Sequence, residues 1–132
     1  MCALGSKKEF KQTNIELCSC LEDALSEVEF VQESAPEQLE LKRSLFKKID
    51  KYADNSTIIS SSTSGLIMSE MQHGLEYARR FVVGHPFNPP HLIPLVEVVG
   101  GKDTDPLVVD WAIKFYNKIG KHGIKINKEV PG

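Results

Sequence analysis

Residues 81–99 read FVVGHPFNPPHLIPLVEVV, and the fold is decided in this stretch. Phe81–His85 is an unbroken apolar run of strand length ending on a polar residue, the pattern of a strand buried on both faces. Pro86, Pro89 and Pro90 then force irregular backbone, because proline has no N–H to give a ladder. Leu95–Val99 is a second extended run, closed by Gly100-Gly101.

Upstream, Thr57–Ser62 (TIISSS) predicts a strand of β-favouring residues running into hydroxyls, set off by the Asp54-Asn55-Ser56 break. Val28–Glu33 (VEFVQE) reads as a short strand weakened by Glu29 and Gln32. Between them Ser34 is placed to cap a helix, Pro36 to take its first turn and Glu37 to complete a capping box. Leu41, Leu45, Ile49 and Tyr52 form one face of that helix to about Ala53. A shorter helix is expected over Leu66–Leu75, ending near Gly74.

Downstream, Asp105 or Thr104 caps a helix with Pro106 in its first turn. Val108, Ala112, Phe115 and Ile119 lie on one face of it, and Gly120 stops it. Gly123–Lys128 alternates as a last strand. Trp111, Phe115 and Tyr116 are expected to pack helix against sheet. Strand–helix alternation of this spacing predicts an α/β fold, doubly wound around a mainly parallel sheet.

The chain has 132 residues, 41% hydrophobic and 26% charged, which fits one domain of ordinary size. Lys and Arg number 16 against 18 Asp and Glu, and this net charge of −2 speaks against a nucleic-acid or membrane-surface binder. No run of 18 apolar residues offers a membrane span. The start, MCALGSKKEFK, lacks a secretory pattern, so a cytoplasmic location is expected. Cys2, Cys18 and Cys20 make no disulfide framework. With His85 and His91 they have no metal-ligand spacing either, so no metal is expected.

Polar residues gather where strands end: the hydroxyl run Ser60–Ser64, and His85 with Asn88. In open α/β sheets ligands bind outside the carboxyl ends of strands. Glu97, a carboxylate inside LVEVV, is either on a solvated strand face or paired, and His85 is its natural partner. A Ser64/His85/Glu97 hydrolase triad is disfavoured, since Ser62-Thr63-Ser64-Gly65 lacks the leading glycine of a nucleophile elbow.

Three segments, QESAPE…K (32–42), SSSTS (60–64) and GHPFNPP…PLVEVV (84–99), together resemble the 3-hydroxyacyl-CoA dehydrogenase superfamily, in order and spacing. The wording is closer to the branch containing L-gulonate 3-dehydrogenase (lambda-crystallin) and carnitine dehydrogenase. The resemblance implies NAD as cofactor and a small hydroxy acid or acyl-CoA as substrate. His85 would accept the hydroxyl proton, with Glu97 orienting it. Ser64 would bond the substrate oxygen, and Asn88 would position nicotinamide and substrate. Glu37 and Lys42 match positions that touch the cofactor.

Each residue also has a plainer reading: Glu37 in a capping box, Lys42 a solvated helix lysine, Ser64 a helix cap, Asn88 a turn residue and His85 a core histidine. The family's Gly-x-Gly-x-x-Gly phosphate loop does not occur in the sequence. The resemblance therefore implies that residues 1–132 are a partial NAD-binding domain. It would lack the first βαβ half and a helical C-terminal domain through which the parent enzyme forms a homodimer. A fragment of this kind is expected to bind NAD weakly and turn over little. A non-catalytic structural or binding protein, crystallin-like, is the second reading on the same fold.

Overall fold

The computed structural model describes residues 14–131, so Cys2 and the amino-terminal stretch lie outside the described residues. The elements in chain order are α1 (Leu21–Leu25), β1 (Phe30–Glu33), α2 (Leu39–Tyr52), β2 (Ile58–Ser61), α3 (Met68–Met71), β3 (Phe81–Pro86), β4 (Leu95–Gly100), α4 (Pro106–Lys118) and β5 (His122–Lys125). They form one five-stranded sheet in the order β1-β2-β3-β4-β5. Every neighbouring pair is parallel except β3–β4, which is antiparallel. The α/β fold with a mainly parallel sheet expected from the sequence is the fold observed. No helix among the described residues is long and apolar enough to cross a membrane.

The sheet is covered on both faces. One cluster packs α1, α2 and α3 on it through Leu25, Phe46, Ile49, Met68, Met71 and Phe81. The other packs α4 through Val109, Ala112 and Tyr116 against Ile58, Val82, Val96 and Val98. Strands covered on both sides read as continuous apolar runs, which is why β3 was the most legible element.

Several local expectations are revised. Helix α2 starts at Leu39 with Gln38 as N-cap and no side-chain cap, so Ser34 is not a cap and no capping box forms. The buried Glu33 carboxylate takes the Ala35 N–H at 2.5 Å, and Lys42 takes the Ala35 carbonyl at 2.9 Å. That holds residues 34–37 as a connection instead of a helical turn. The buried face of α2 is Lys42, Phe46, Ile49 and Asp50, whereas Leu41 and Tyr52 are exposed.

In α4, Asp105 is the N-cap, accepting from the Leu107 N–H at 2.9 Å. Its buried face is Val109, Ala112 and Tyr116, with Ile119 exposed. The helix expected over Leu66–Leu75 shrinks to α3. Beyond it Gln72 is fully buried, and its side chain bonds the Ala78 carbonyl, the Thr104 hydroxyl and the Asp103 N–H.

Alternation along β3 separates two tasks. Val82 and Gly84 face α4, and Val83 and His85 face the opposite side. A methyl group at Gly84 would collide with the hydroxyls of Tyr116 and Ser60, which themselves bond at 2.7 Å. Gly84→Ala is therefore expected to cost about 1–3 kcal/mol through overpacking. Chemical denaturation would register it as a lower midpoint with unchanged slope.

Candidate functional site

The antiparallel register of β3 and β4 makes His85 and Glu97 direct cross-strand partners. Their side chains emerge on the same face, with His85 Nδ1 3.3 Å from Glu97 Oε2. A carboxylate only accepts hydrogen bonds, so this contact assigns the proton to Nδ1 and leaves the Nε2 lone pair free. Phe87 flanks the imidazole with ring centroids 5.7 Å apart. The pair is partly open to solvent, His85 at 25% and Glu97 at 36% of side-chain exposure.

Ser64 joins them. It sits beyond β2 in a connection whose first residues are held by Glu37: Thr63 Oγ1 donates to Oε1 at 2.5 Å and the Ser64 N–H to Oε2 at 2.9 Å. Ser64, His85 and Glu97 line one small cavity of about 110 Å³, floored by Val83 and Val99 and flanked by Ile126 and Lys128. Asn88 lies outside that lining, exposed on the connection after β3.

Partial burial would raise the pKa of Glu37. The Thr63 hydroxyl, the Ser64 and Gly65 N–H groups and the Lys42 charge outweigh it and hold the carboxyl below its ordinary value. A depressed folded-state pKa contributes stability above the unfolded-state value and loses it as pH falls through the folded one. Glu37→Gln is accordingly expected to lower stability at neutral pH, with the difference from wild type fading as pH falls through the folded-state value. Urea midpoints measured across pH would check this.

Lys42 is placed differently from a solvated helix lysine. It is 1% exposed, and its ammonium bonds both oxygens of Glu33, at 2.8 and 3.1 Å, as well as the Ala35 carbonyl. The Ser61 hydroxyl completes the cluster at 2.5 Å from Glu33. Sequence reasoning gave Glu33 no role, although a carboxylate closing a strand six residues before a helix is a signal for a buried partner. Losing one member strands the other charge. Lys42→Met is expected to destabilise the fold by roughly 3–5 kcal/mol, the usual cost of an unpaired buried charge, as thermal unfolding would show.

A strand-end hydroxyl row, a His–Glu pair and a mainly parallel sheet covered on both faces are features of open α/β domains, which bind ligands at the carboxyl ends of their strands. Comparison with known proteins gives the family. Residues 5–130 match the model of the 3-hydroxyacyl-CoA dehydrogenase, NAD binding domain, and the chain belongs to that family. An L-carnitine dehydrogenase of Streptomyces griseus is 51% identical over 129 residues, 98% of this chain and 38% of that protein. A 3-hydroxyacyl-CoA dehydrogenase of Gibberella moniliformis is 46% identical over 121 residues, again covering 38% of it.

Among solved structures, an NAD+-dependent dismutase, 5-formyl-3-hydroxy-2-methylpyridine 4-carboxylic acid 5-dehydrogenase, superposes with a TM-score of 0.81 at 34% identity. It is matched over 86% of this chain and 37% of its own. The 3-hydroxybutyryl-CoA dehydrogenase of Escherichia coli gives 0.78 at 28% identity, over 82% of this chain and 23% of its own. The chain thus spans less than half the length of these relatives. Of the two expected branch names, these relatives carry the carnitine dehydrogenase one.

The cofactor of the family is NAD. The residues at the ends of β1 and β2 suit its nicotinamide–ribose part. Ser34, Ser62 and Ser64 offer hydroxyls there, with Ser34 to Ser62 at 2.8 Å, while the Gln32 amide is committed to Ser62, the Gly84 carbonyl and the Tyr116 hydroxyl. The Lys42 charge is neutralised by Glu33. Neutral donors and acceptors of this kind match hydroxyls and a carboxamide better than a phosphate.

Proposed function

We propose that the full-length protein containing this chain is an NAD-dependent dehydrogenase that oxidises the 3-hydroxyl of a hydroxy acid or 3-hydroxyacyl thioester. The observation carrying this reading is the registered His85–Glu97 pair opening on the same cavity as Ser64. The bound cofactor supplies the hydride acceptor.

The chain's own residues handle the proton. His85 Nε2 takes it from the substrate hydroxyl. The charge that develops on the ring is met by Glu97 at Nδ1, which also fixes ring orientation. The Ser64 hydroxyl, 3.3 Å from Glu37 Oε2, would bond the substrate oxygen beside the imidazole. Glu37 holds the Thr63–Ser64 backbone and accepts from the cofactor ribose, and Lys42 fixes that arrangement from beneath through Glu33 and Ala35. Asn88, just beyond β3, would help position the nicotinamide and substrate.

L-carnitine, which gives its name to relatives between 40% and 51% identical beside a 3-hydroxyacyl-CoA dehydrogenase at 46%, is a small 3-hydroxy acid, and it is the first substrate to try. NADH formation by the full-length protein should be followed with L-carnitine, 3-hydroxybutyrate and 3-hydroxybutyryl-CoA. His85→Ala is expected to lower kcat by roughly 10²–10⁴, the usual worth of a general base, with NAD affinity retained. A His85→Ala variant turning over at the wild-type rate would remove the imidazole from the reaction.

A further inference from the structure

Five consecutive hydroxyls, Ser60–Ser64, run off the end of β2, and they go to different partners. Ser60 meets the Tyr116 hydroxyl at 2.7 Å, and Ser61 donates to Glu33 at 2.5 Å. The Ser62 hydroxyl accepts from the Gln32 amide at 2.7 Å and lies 2.8 Å from that of Ser34. Thr63 donates to Glu37 Oε1 at 2.5 Å. Of the five, the Ser64 hydroxyl alone is held loosely, 3.3 Å from Glu37 Oε2.

We infer that Thr63 is a positioning residue for the reaction: by occupying Glu37 Oε1 it leaves the Ser64 hydroxyl free to meet the substrate oxygen beside His85. The inference rests on the dehydrogenase reading and deepens it. The Thr63 hydroxyl has one proton, and Glu37 receives it. Its oxygen accepts the Leu66 N–H at 3.1 Å, so the same group closes the turn that contains Ser64. Thr63 is 3% exposed, and bulk water does not make good a bond lost there.

Glu37 Oε2 already receives the Ser64 N–H at 2.9 Å. With Thr63 on Oε1, each carboxylate oxygen has a short partner, and the Ser64 hydroxyl adds a long third contact. Without the Thr63 hydroxyl, the carboxylate turns its free charge on a donor beside it, the Ser64 hydroxyl. The group that the substrate needs is then committed to Glu37. Charge develops on the substrate oxygen as its proton leaves, so a donor at Ser64 counts most in the transition state. Thr63 and Ser64 line the same cavity as His85, which puts the cause and its effect within one small space.

The test uses the full-length protein and steady-state kinetics with L-carnitine, 3-hydroxybutyrate and 3-hydroxybutyryl-CoA. Thr63→Val keeps the shape of the side chain and removes its hydroxyl. It is expected to lower kcat and kcat/KM together by roughly 10- to 100-fold, the scale of a misplaced reacting group. Thr63→Ser puts the hydroxyl back and should return both to within about threefold of wild type. In a Ser64→Ala background the further loss from Thr63→Val should be less than about threefold, because the two residues act as a unit. Wild-type kcat in Thr63→Val, no recovery in Thr63→Ser, or an undiminished further loss beside Ser64→Ala would overturn the assignment. Thr63→Ala carries the same expectations if Thr63→Val does not fold.

Amide hydrogen exchange separates this from failure of the parent reading. The Ser64 and Leu66 N–H groups are expected to lose protection in Thr63→Val and to regain it in Thr63→Ser. If the wild-type protein oxidises none of the three substrates, the dehydrogenase reading fails. Exchange then decides Thr63 by itself: that pattern sustains its hold on Ser64, and unchanged protection refutes it.

Discussion

At the carboxyl end of β1 the buried Glu33 carboxylate gathers the Lys42 ammonium, the Ala35 N–H and the Ser61 hydroxyl. Those groups belong to α2, to the connection before it and to β2, so one carboxylate ties three elements to a point. A buried ion pair adds little stability over an apolar replacement, but it fixes geometry because each charge must find its one partner. Lys42 also takes the Ala35 carbonyl, so both polar backbone atoms of that residue are committed. Two residues later Glu37 is left with a definite reach to Thr63 and Ser64. The position of Ser64 in the cavity therefore traces back to a charge pair that does not line it.

The opposite face of the sheet supplies the complementary constraint. Tyr116 on α4 is buried, and its hydroxyl bonds Ser60 on β2 at 2.7 Å and Gln32 on β1 at 2.5 Å. Burial raises the phenol's pKa against the lowering effect of those two bonds. Gln32 continues to the Gly84 carbonyl at 3.2 Å, so the three strands are stitched across their ends on the side away from His85. Gly84 has no side chain because Tyr116 and Ser60 occupy that space. The backbone that presents His85 is thus clamped from behind by a network whose members do not line the cavity beside it.

Much of this was legible in the sequence. Continuous apolar runs located β2, β3 and β4, and the Asp105-Pro106 start of α4 followed from capping chemistry. The pairing of His85 with Glu97 was readable as one of two fates for a carboxylate in an apolar strand. The antiparallel turn of β4 had its own signal: residues 87–94 are too few for a parallel crossover, which takes about a dozen or more residues. The helix faces were misread by one position because periodicity counts apolar residues, while α2 buries Lys42 and Asp50 through ion pairs with Glu33 and Arg80. A charge reads as solvated until its partner is known, and the partners here lie 9 and 30 residues away.

Three glutamates near one sheet edge end up with three different tasks because their partners differ in kind. Glu33 is sealed against the Lys42 ammonium and the Ser61 hydroxyl, which ties α2 to the ends of β1 and β2. Glu37 is met mainly by neutral donors, a hydroxyl and backbone N–H groups, which keep it ionised and make it a fixed acceptor. Glu97 faces an imidazole, the one partner among the three that becomes charged when it accepts a proton. A carboxylate accelerates a reaction only where its partner becomes more positive on the way to the transition state. In the proposed reaction Glu97 is the only one of the three whose partner changes charge, and the half-open setting of the pair leaves it accessible from the cavity.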